Sequence, residues 1–201
     1  MRWSRRLEIA LWLIGFSLLG GATASFVRSR VYQARQERAF SDLETRIASK
    51  PVAYATPLPA SIGASTPADA DPLVLGRLEI PRIGVSAIVR EGDDDATLAV
   101  AVGRIPGTAR PGERGNMALA GHRDSFFRPL RHIRVDDVIR FHSPGRGYEY
   151  RVESTEVVGP REVRVLDPSA DATLTLVTCY PFGFVGRAPD RFVVRATQLP
   201  Q

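Results

Sequence analysis

The run Thr173-Leu174-Thr175-Leu176-Val177-Thr178-Cys179-Tyr180-Pro181-Phe182-Gly183 decides the fold class. Residues 173–178 are apolar or β-branched without interruption, which suits a strand, and Pro181 and Gly183 end its pairing and open a loop. The thiol of Cys179 is thereby delivered to the C-terminal end of a strand. The loop, Phe182 to Asp190, leads into Arg191-Phe192-Val193-Val194-Arg195-Ala196. That second strand can return antiparallel beside the first and bring Arg191 back to the thiol.

Upstream the same pattern repeats at Gly76 to Ile80, Val85 to Arg90, Asn116 to Ala120, Asp137 to His142 and Tyr148 to Val158, with Gly or Pro between most of the runs. Two segments read as short helices: Asp94 to Val102, which opens with acidic residues, and Phe126 to Ile133. Seven or eight strands beyond residue 72 predict a mainly β unit, a small barrel or sandwich, with one or two short helices. No internal repeat is visible.

Outside this unit the chain changes character. MRWSRRLE precedes an uncharged stretch from Ile9 to Val27, which as a helix would reach about 28 Å, close to the hydrocarbon thickness of a bilayer. Arg2, Arg5 and Arg6 would keep the short N-terminus cytoplasmic and send the remainder outside. The rival to a transmembrane anchor is a cleaved signal peptide, because Ala22-Thr23-Ala24 is an A-x-A-like site. Arg28 to Ser49 has a loosely helical apolar spacing and reads as a juxtamembrane helix, and Pro51 to Pro72, rich in Pro, Ala and Ser, reads as an extended spacer. The expected organisation is therefore a basic tip and anchor (1–27), a helix and spacer (28–72) and a folded unit (73–201).

Of 201 residues, 44% are hydrophobic and 24% charged, which excludes wholesale disorder and a polytopic membrane protein. The net charge of +5 comes almost entirely from scattered arginine, with Lys50 the only lysine, so nucleic-acid binding is not expected. The single cysteine removes intramolecular disulfides and multi-thiolate metal sites.

A lone thiol in an exported chain is buried, paired with another chain or reactive. Cys179 has the placement a nucleophile needs, a rigid strand end beside an open loop, although burial in a core is the commonest fate of this residue type. His122, in Ala118-Leu119-Ala120-Gly121-His122-Arg123-Asp124, shares the strand-end context. His132 and His142 read as turn or surface histidines. Arg191 has the charge to stabilise an oxyanion, and the alternative is a solvated arginine.

Thr175-Leu176-Val177-Thr178-Cys179 resembles the TLxTC signature of sortases, cysteine transpeptidases that join proteins to cell-surface amines. Residues 178–196, TCYPFGFVGRAPDRFVVRA, resemble the class D members in particular, and Ala120-Gly121-His122-Arg123-Asp124 resembles the segment carrying the family's histidine. Arg191 falls where the family's arginine lies, and the anchor and spacer fit the family's layout. The resemblance implies an eight-stranded β-barrel preceded by a transmembrane helix. It implies Cys179 as nucleophile toward the threonine carbonyl of an LPxTG-like sorting signal, His122 as general acid and base, and Arg191 as oxyanion partner. The acceptor would be an amine on a cell-wall precursor or a pilin lysine, and no cofactor is implied. Calcium sites of some relatives depend on acidic loop residues that have no match here, so no metal is carried over.

Thr178 is a candidate supporting residue, its side chain expected on the face opposite Cys179. Asp124 is a candidate to orient His122, or else a turn cap. Two other classes stay open. An exported thiol hydrolase would use the same Cys and His, whereas a transpeptidase of the L,D type would require serine and glycine where this chain has Leu176-Val177-Thr178. A non-catalytic surface binding module predicts a Cys179 that is buried and slow to alkylate.

Overall fold

The computed structural model describes residues 2–48, 71–184 and 186–200. Most of the expected spacer, 51–70, lies outside them.

Alternation of buried and exposed residues builds the strands. In β1 (Val74–Ile80) Leu78 and Ile80 turn inward, and in β6 (Arg146–Val158) Tyr148, Tyr150 and Val152 do so while the residues between them stay exposed. With β2 (Val85–Glu91), β3 (Val102–Arg104), β4 (Asn116–Ala120), β5 (Val138–Ser143), β7 (Thr173–Tyr180) and β8 (Asp190–Gln198), these strands close a barrel in the order β1-β2-β3-β4-β7-β8-β6-β5. Closure leaves no sheet edge unpaired. The β2–β3 and β4–β7 pairs are parallel and the other pairs antiparallel. The interior is filled by Leu78, Phe127, Phe141, Leu174 and Leu176, each fully buried.

The expected helix from Asp94 to Val102 is shorter than its sequence suggests. The helix α2 is a single turn, Asp95–Leu98, and Val102 already begins β3. The Asp94 carboxylate accepts hydrogen bonds from the Ala96 and Thr97 amides at 3.0 and 3.1 Å, which starts the helix, and pairing with β2 and β4 then draws the chain into a strand. Gly103 permits that pairing, because a Cβ there would lie 2.1 Å from the Gly92 carbonyl oxygen. The second expected helix is a 3-10 turn, Arg128–His132, with proline in its first turn.

The first four residues of β4 and of β7 are buried on both faces. Their outer face is covered by the β6–β7 connection, which Asn116 fastens. Its amide donates to the carbonyls of Val165 and Asp167 at 3.0 and 3.2 Å and its oxygen accepts from Thr175 Oγ1 at 2.7 Å. A buried amide whose donors and acceptor are all used fixes one arrangement of the loop it holds.

A continuous helix, α1 (Arg2–Ala48), precedes the barrel. It incorporates the expected juxtamembrane helix and packs on the outside of β1 and β2. Gln36, Ala39 and Phe40 are buried there. The Gln33 side chain behaves like one more peptide unit of the sheet: its amide donates to the Val100 carbonyl at 2.7 Å and its oxygen accepts from the Ile88 amide at 2.8 Å. Tyr32 donates to Asp71 at 2.8 Å and Arg77 pairs with Glu37 at 3.1 Å. Among the described residues no helix is long and apolar enough to cross a membrane. The span expected at Ile9–Val27 lies within α1, partly on side chains outside the described set.

Candidate active site

Strands β4 and β7 run parallel with Ala120 opposite Val177. One pleat period further along each chain lie His122 and Cys179, so the two strands deliver imidazole and thiol at the same end of the sheet. Across the other side of β7, the antiparallel register sets Arg191 of β8 directly opposite Cys179. Directly paired residues project from the same face of a sheet, with Cβ atoms roughly 5 Å apart. Three neighbouring strands thus place one thiol, one imidazole and one guanidinium together at one end of the barrel wall.

Both strand ends are pinned by the backbone. The Gly121 amide donates to the Val177 carbonyl at 3.2 Å, and Thr178 Oγ1 donates to the Gly121 carbonyl at 2.7 Å. Thr178 is buried and lies on the face opposite Cys179, so its hydroxyl ties the peptide before His122 to the strand that carries the thiol. Gly121 itself sits against the ring of Phe127, where a Cβ would come within 2.7 Å. The Arg191 guanidinium donates to the Asp190 carbonyl at 3.0 Å.

Two depressions meet at these residues. The larger, about 470 Å³, has an apolar floor from Leu98, Ile105, Val165, Leu166 and Val177, and the carboxylate residues Asp93, Asp95 and Glu162 line it as well. The smaller, about 240 Å³, is lined by Arg123, Asp124, Arg187 and Ala188. His122, Cys179 and Arg191 line both. A partly exposed thiol beside a base and a fixed cation can attack a carbonyl, exchange protons with the departing and arriving groups and hold the resulting oxyanion.

Every residue singled out from the sequence for this chemistry lies here. Asp124 is exposed at the smaller depression and makes no hydrogen bond to His122 among the described residues. His132 and His142 line neither depression: His132 accepts a hydrogen bond from Arg131, and His142 stands 3.4 Å from Glu79. Arg123 escaped the sequence reading. Its guanidinium donates to the carbonyls of Pro181 and Gly186, both at 3.0 Å, and so ties the β7–β8 loop to the segment after His122. The only signal was its position next to the histidine. Among the described residues no group of three or more His, Cys, Asp or Glu is placed to hold a metal ion.

Fold and site together define a closed β-barrel with a cysteine–histidine–arginine cleft at the ends of β4, β7 and β8. The Sortase domain family matches residues 78–199, and the chain belongs to the sortase family. It is 32% identical over 120 residues to Sortase D of Bacillus subtilis (strain 168), a match covering 59% of this chain and 61% of that protein. It is 33% identical over 110 residues to Sortase A of Listeria monocytogenes, covering 53% of this chain and 49% of that one. The matched region thus spans half to three-fifths of those relatives. The structure of a Clostridium perfringens Sortase D5 transpeptidase has the same fold, with a TM-score of 0.63 at 22% identity over 87% of this chain and 99% of that one.

Proposed function

We propose that this protein is a membrane-anchored cysteine transpeptidase. It cleaves an LPxTG-like sorting signal after threonine and transfers the released carboxyl to an amine at the cell surface. The observation that carries the reading is the convergence of Cys179, His122 and Arg191 on one cleft from three adjacent strands.

In the first half-reaction the Cys179 sulfur attacks the threonine carbonyl. Arg191 holds the oxygen as it gains charge, and His122 protonates the leaving amine, giving a thioester on Cys179. In the second half an incoming amine attacks the thioester, His122 takes its proton and the thiolate departs. The apolar floor of the larger depression suits the leucine and proline of such a signal. Anchoring rests on the uncharged stretch Ile9–Val27 behind Arg2, Arg5 and Arg6, which directs the barrel to the extracytoplasmic side.

The test uses the full chain in detergent with LPxTG- and LPxTA-type peptides and an added amine, read by mass spectrometry beside Cys179→Ala. An acyl adduct on Cys179 and an amine-ligated product, both absent from the variant, are the expected result. Hydrolysis that never yields ligation would make the protein an exported cysteine protease, and no adduct with any peptide would overturn the substrate class.

A further inference from the structure

The two depressions at Cys179 carry opposite charge. The larger has three carboxylate residues along it, Asp93, Asp95 and Glu162, of which Glu162 pairs with Arg164 at 3.5 Å, while the smaller has Arg123 and Arg187 against the single carboxylate of Asp124, with Arg191 common to both. Arg123 is committed to the carbonyls of Pro181 and Gly186, which orient its guanidinium without neutralising it. Arg187 is exposed and has no ion pair among the described residues. The field across the thiol therefore runs from negative on one side to positive on the other.

Resting on the acyl-transfer function proposed above, we infer that the smaller depression receives the acceptor and selects a primary amine accompanied by a nearby carboxylate. A transferase that keeps its first substrate as a thioester needs a second place for the amine. With the signal peptide in the larger, apolar depression, the smaller one is a second approach to Cys179 among the described residues. At about 240 Å³ it holds the amine and the few atoms around it, so a recognised anion must sit within a few bonds of the nitrogen. Arg187 meets that carboxylate, while the acidic residues across Cys179 repel the same ligand from the peptide's place. The chemistry balances without a further reactant. The amine nitrogen bonds to the thioester carbon, the carbon–sulfur bond breaks, and His122 takes the proton lost by nitrogen as the Cys179 thiolate departs.

Glycylglycine and glycylglycinamide test this, since they share the attacking amine and differ in the carboxylate. The full chain in detergent is acylated with an LPxTG-type peptide and the two acceptors compete for the thioester, with ligated products counted by mass spectrometry. The expected result is a preference of about three- to five-fold for glycylglycine at low ionic strength, falling toward unity near about 1 M salt. Arg187→Glu, on an exposed loop, should invert the ratio. Equal use of both acceptors by the unaltered protein at low salt, or a ratio that Arg187→Glu leaves unchanged, overturns the inference while the acylated enzyme stands. Absence of any acylated enzyme overturns the proposed transferase and this acceptor site with it.

Discussion

Cys179 and Arg191 are direct partners in the antiparallel β7–β8 ladder, which fixes thiol and guanidinium on one face of the barrel wall before any substrate arrives. Such preorganisation matters because a charge already in place costs no reorganisation when the oxyanion forms. Arg191→Ala should lower kcat/KM for peptide acylation by about 10²–10³-fold. Arg191→Lys should recover part of the loss, since it restores charge without the planar fork. Stopped-flow acylation of both variants checks this, with alkylation of Cys179 by iodoacetamide as the control for an intact, accessible thiol. Equal rates for the alanine and arginine proteins would remove Arg191 from the chemistry.

Thr178 acts one step further back. Its buried hydroxyl, 2.7 Å from the Gly121 carbonyl, ties the His122 strand end to the Cys179 strand end. Thr178→Val keeps the shape and removes the bond, at a cost of about 1–2 kcal/mol in stability for an unpaired buried carbonyl. If the bond positions His122, kcat should fall with little change in KM, the pH profile should shift, and Thr178→Ser should restore both. A stability loss with an unchanged pH profile and kcat would mark the bond as structural only.

The strands were legible in the sequence because alternation and turn residues announce them: Asn116–Ala120 emerges with the bounds its sequence suggests, and β7 and β8 extend theirs by a residue or two. Missing was β3, three residues long and preceded by a run of alanine, leucine and valine that reads as helix when the neighbours that pair with it are unknown. Cys179 and His122 were legible from strand-end context, and Arg191 from the return of the chain after one loop. The resemblance to sortases implied the roles proposed for them. The walls of the two depressions were not legible, since Asp93, Glu162 and Arg187 lie on loops far apart in sequence that only barrel closure brings together. The docking of α1 was hidden for another reason. Its contact face is Tyr32, Gln33, Gln36 and Glu37 as much as Ala39 and Phe40, so hydrophobic spacing picks out Phe40 but not the polar contacts, and Val31 stays exposed.

Asp137 predicts how the barrel meets acid. It accepts hydrogen bonds from the Arg82 guanidinium and, at 2.8 Å, from the Arg134 amide, and the Arg82 bonds hold its carboxyl below the usual carboxylate range. A carboxyl with a depressed folded-state pKa stabilises the fold fully above its unfolded value, near about 4, and loses that contribution as pH falls through the lower folded value. Asp137→Asn should therefore lower the Tm at pH 7 and flatten the decline of Tm between pH 5 and pH 2. Thermal melts of the two proteins across that range decide it: parallel acid limbs would assign the acid response to other groups.

The contact between α1 and the barrel sets the last prediction. Gln33 satisfies the Ile88 amide and the Val100 carbonyl, and Val100 follows the segment whose Asp93, Asp95 and Leu98 line the larger depression. A protein beginning at residue 73 loses Gln33, leaves those two backbone groups to water and uncovers the surface buried by Phe40. The barrel itself closes without α1, so the truncated protein should fold, with a lower Tm than one beginning at residue 28. Phe40→Ala in the longer protein should reproduce much of the loss, about 3 kcal/mol or less at a site on the barrel's periphery. Hydrogen exchange reports the contact itself, because the Ile88 amide is protected by a side chain from another element rather than by a strand. It should exchange slowly in the longer protein and quickly in both the truncated protein and Gln33→Ala, while Leu78 and Leu176 stay protected. If the Ile88 amide exchanges equally slowly in all of them, α1 is not docked in solution and the barrel wall stands unaided. If it exchanges as expected, α1 is docked in solution against the strand and the segment that precede the wall of the larger depression.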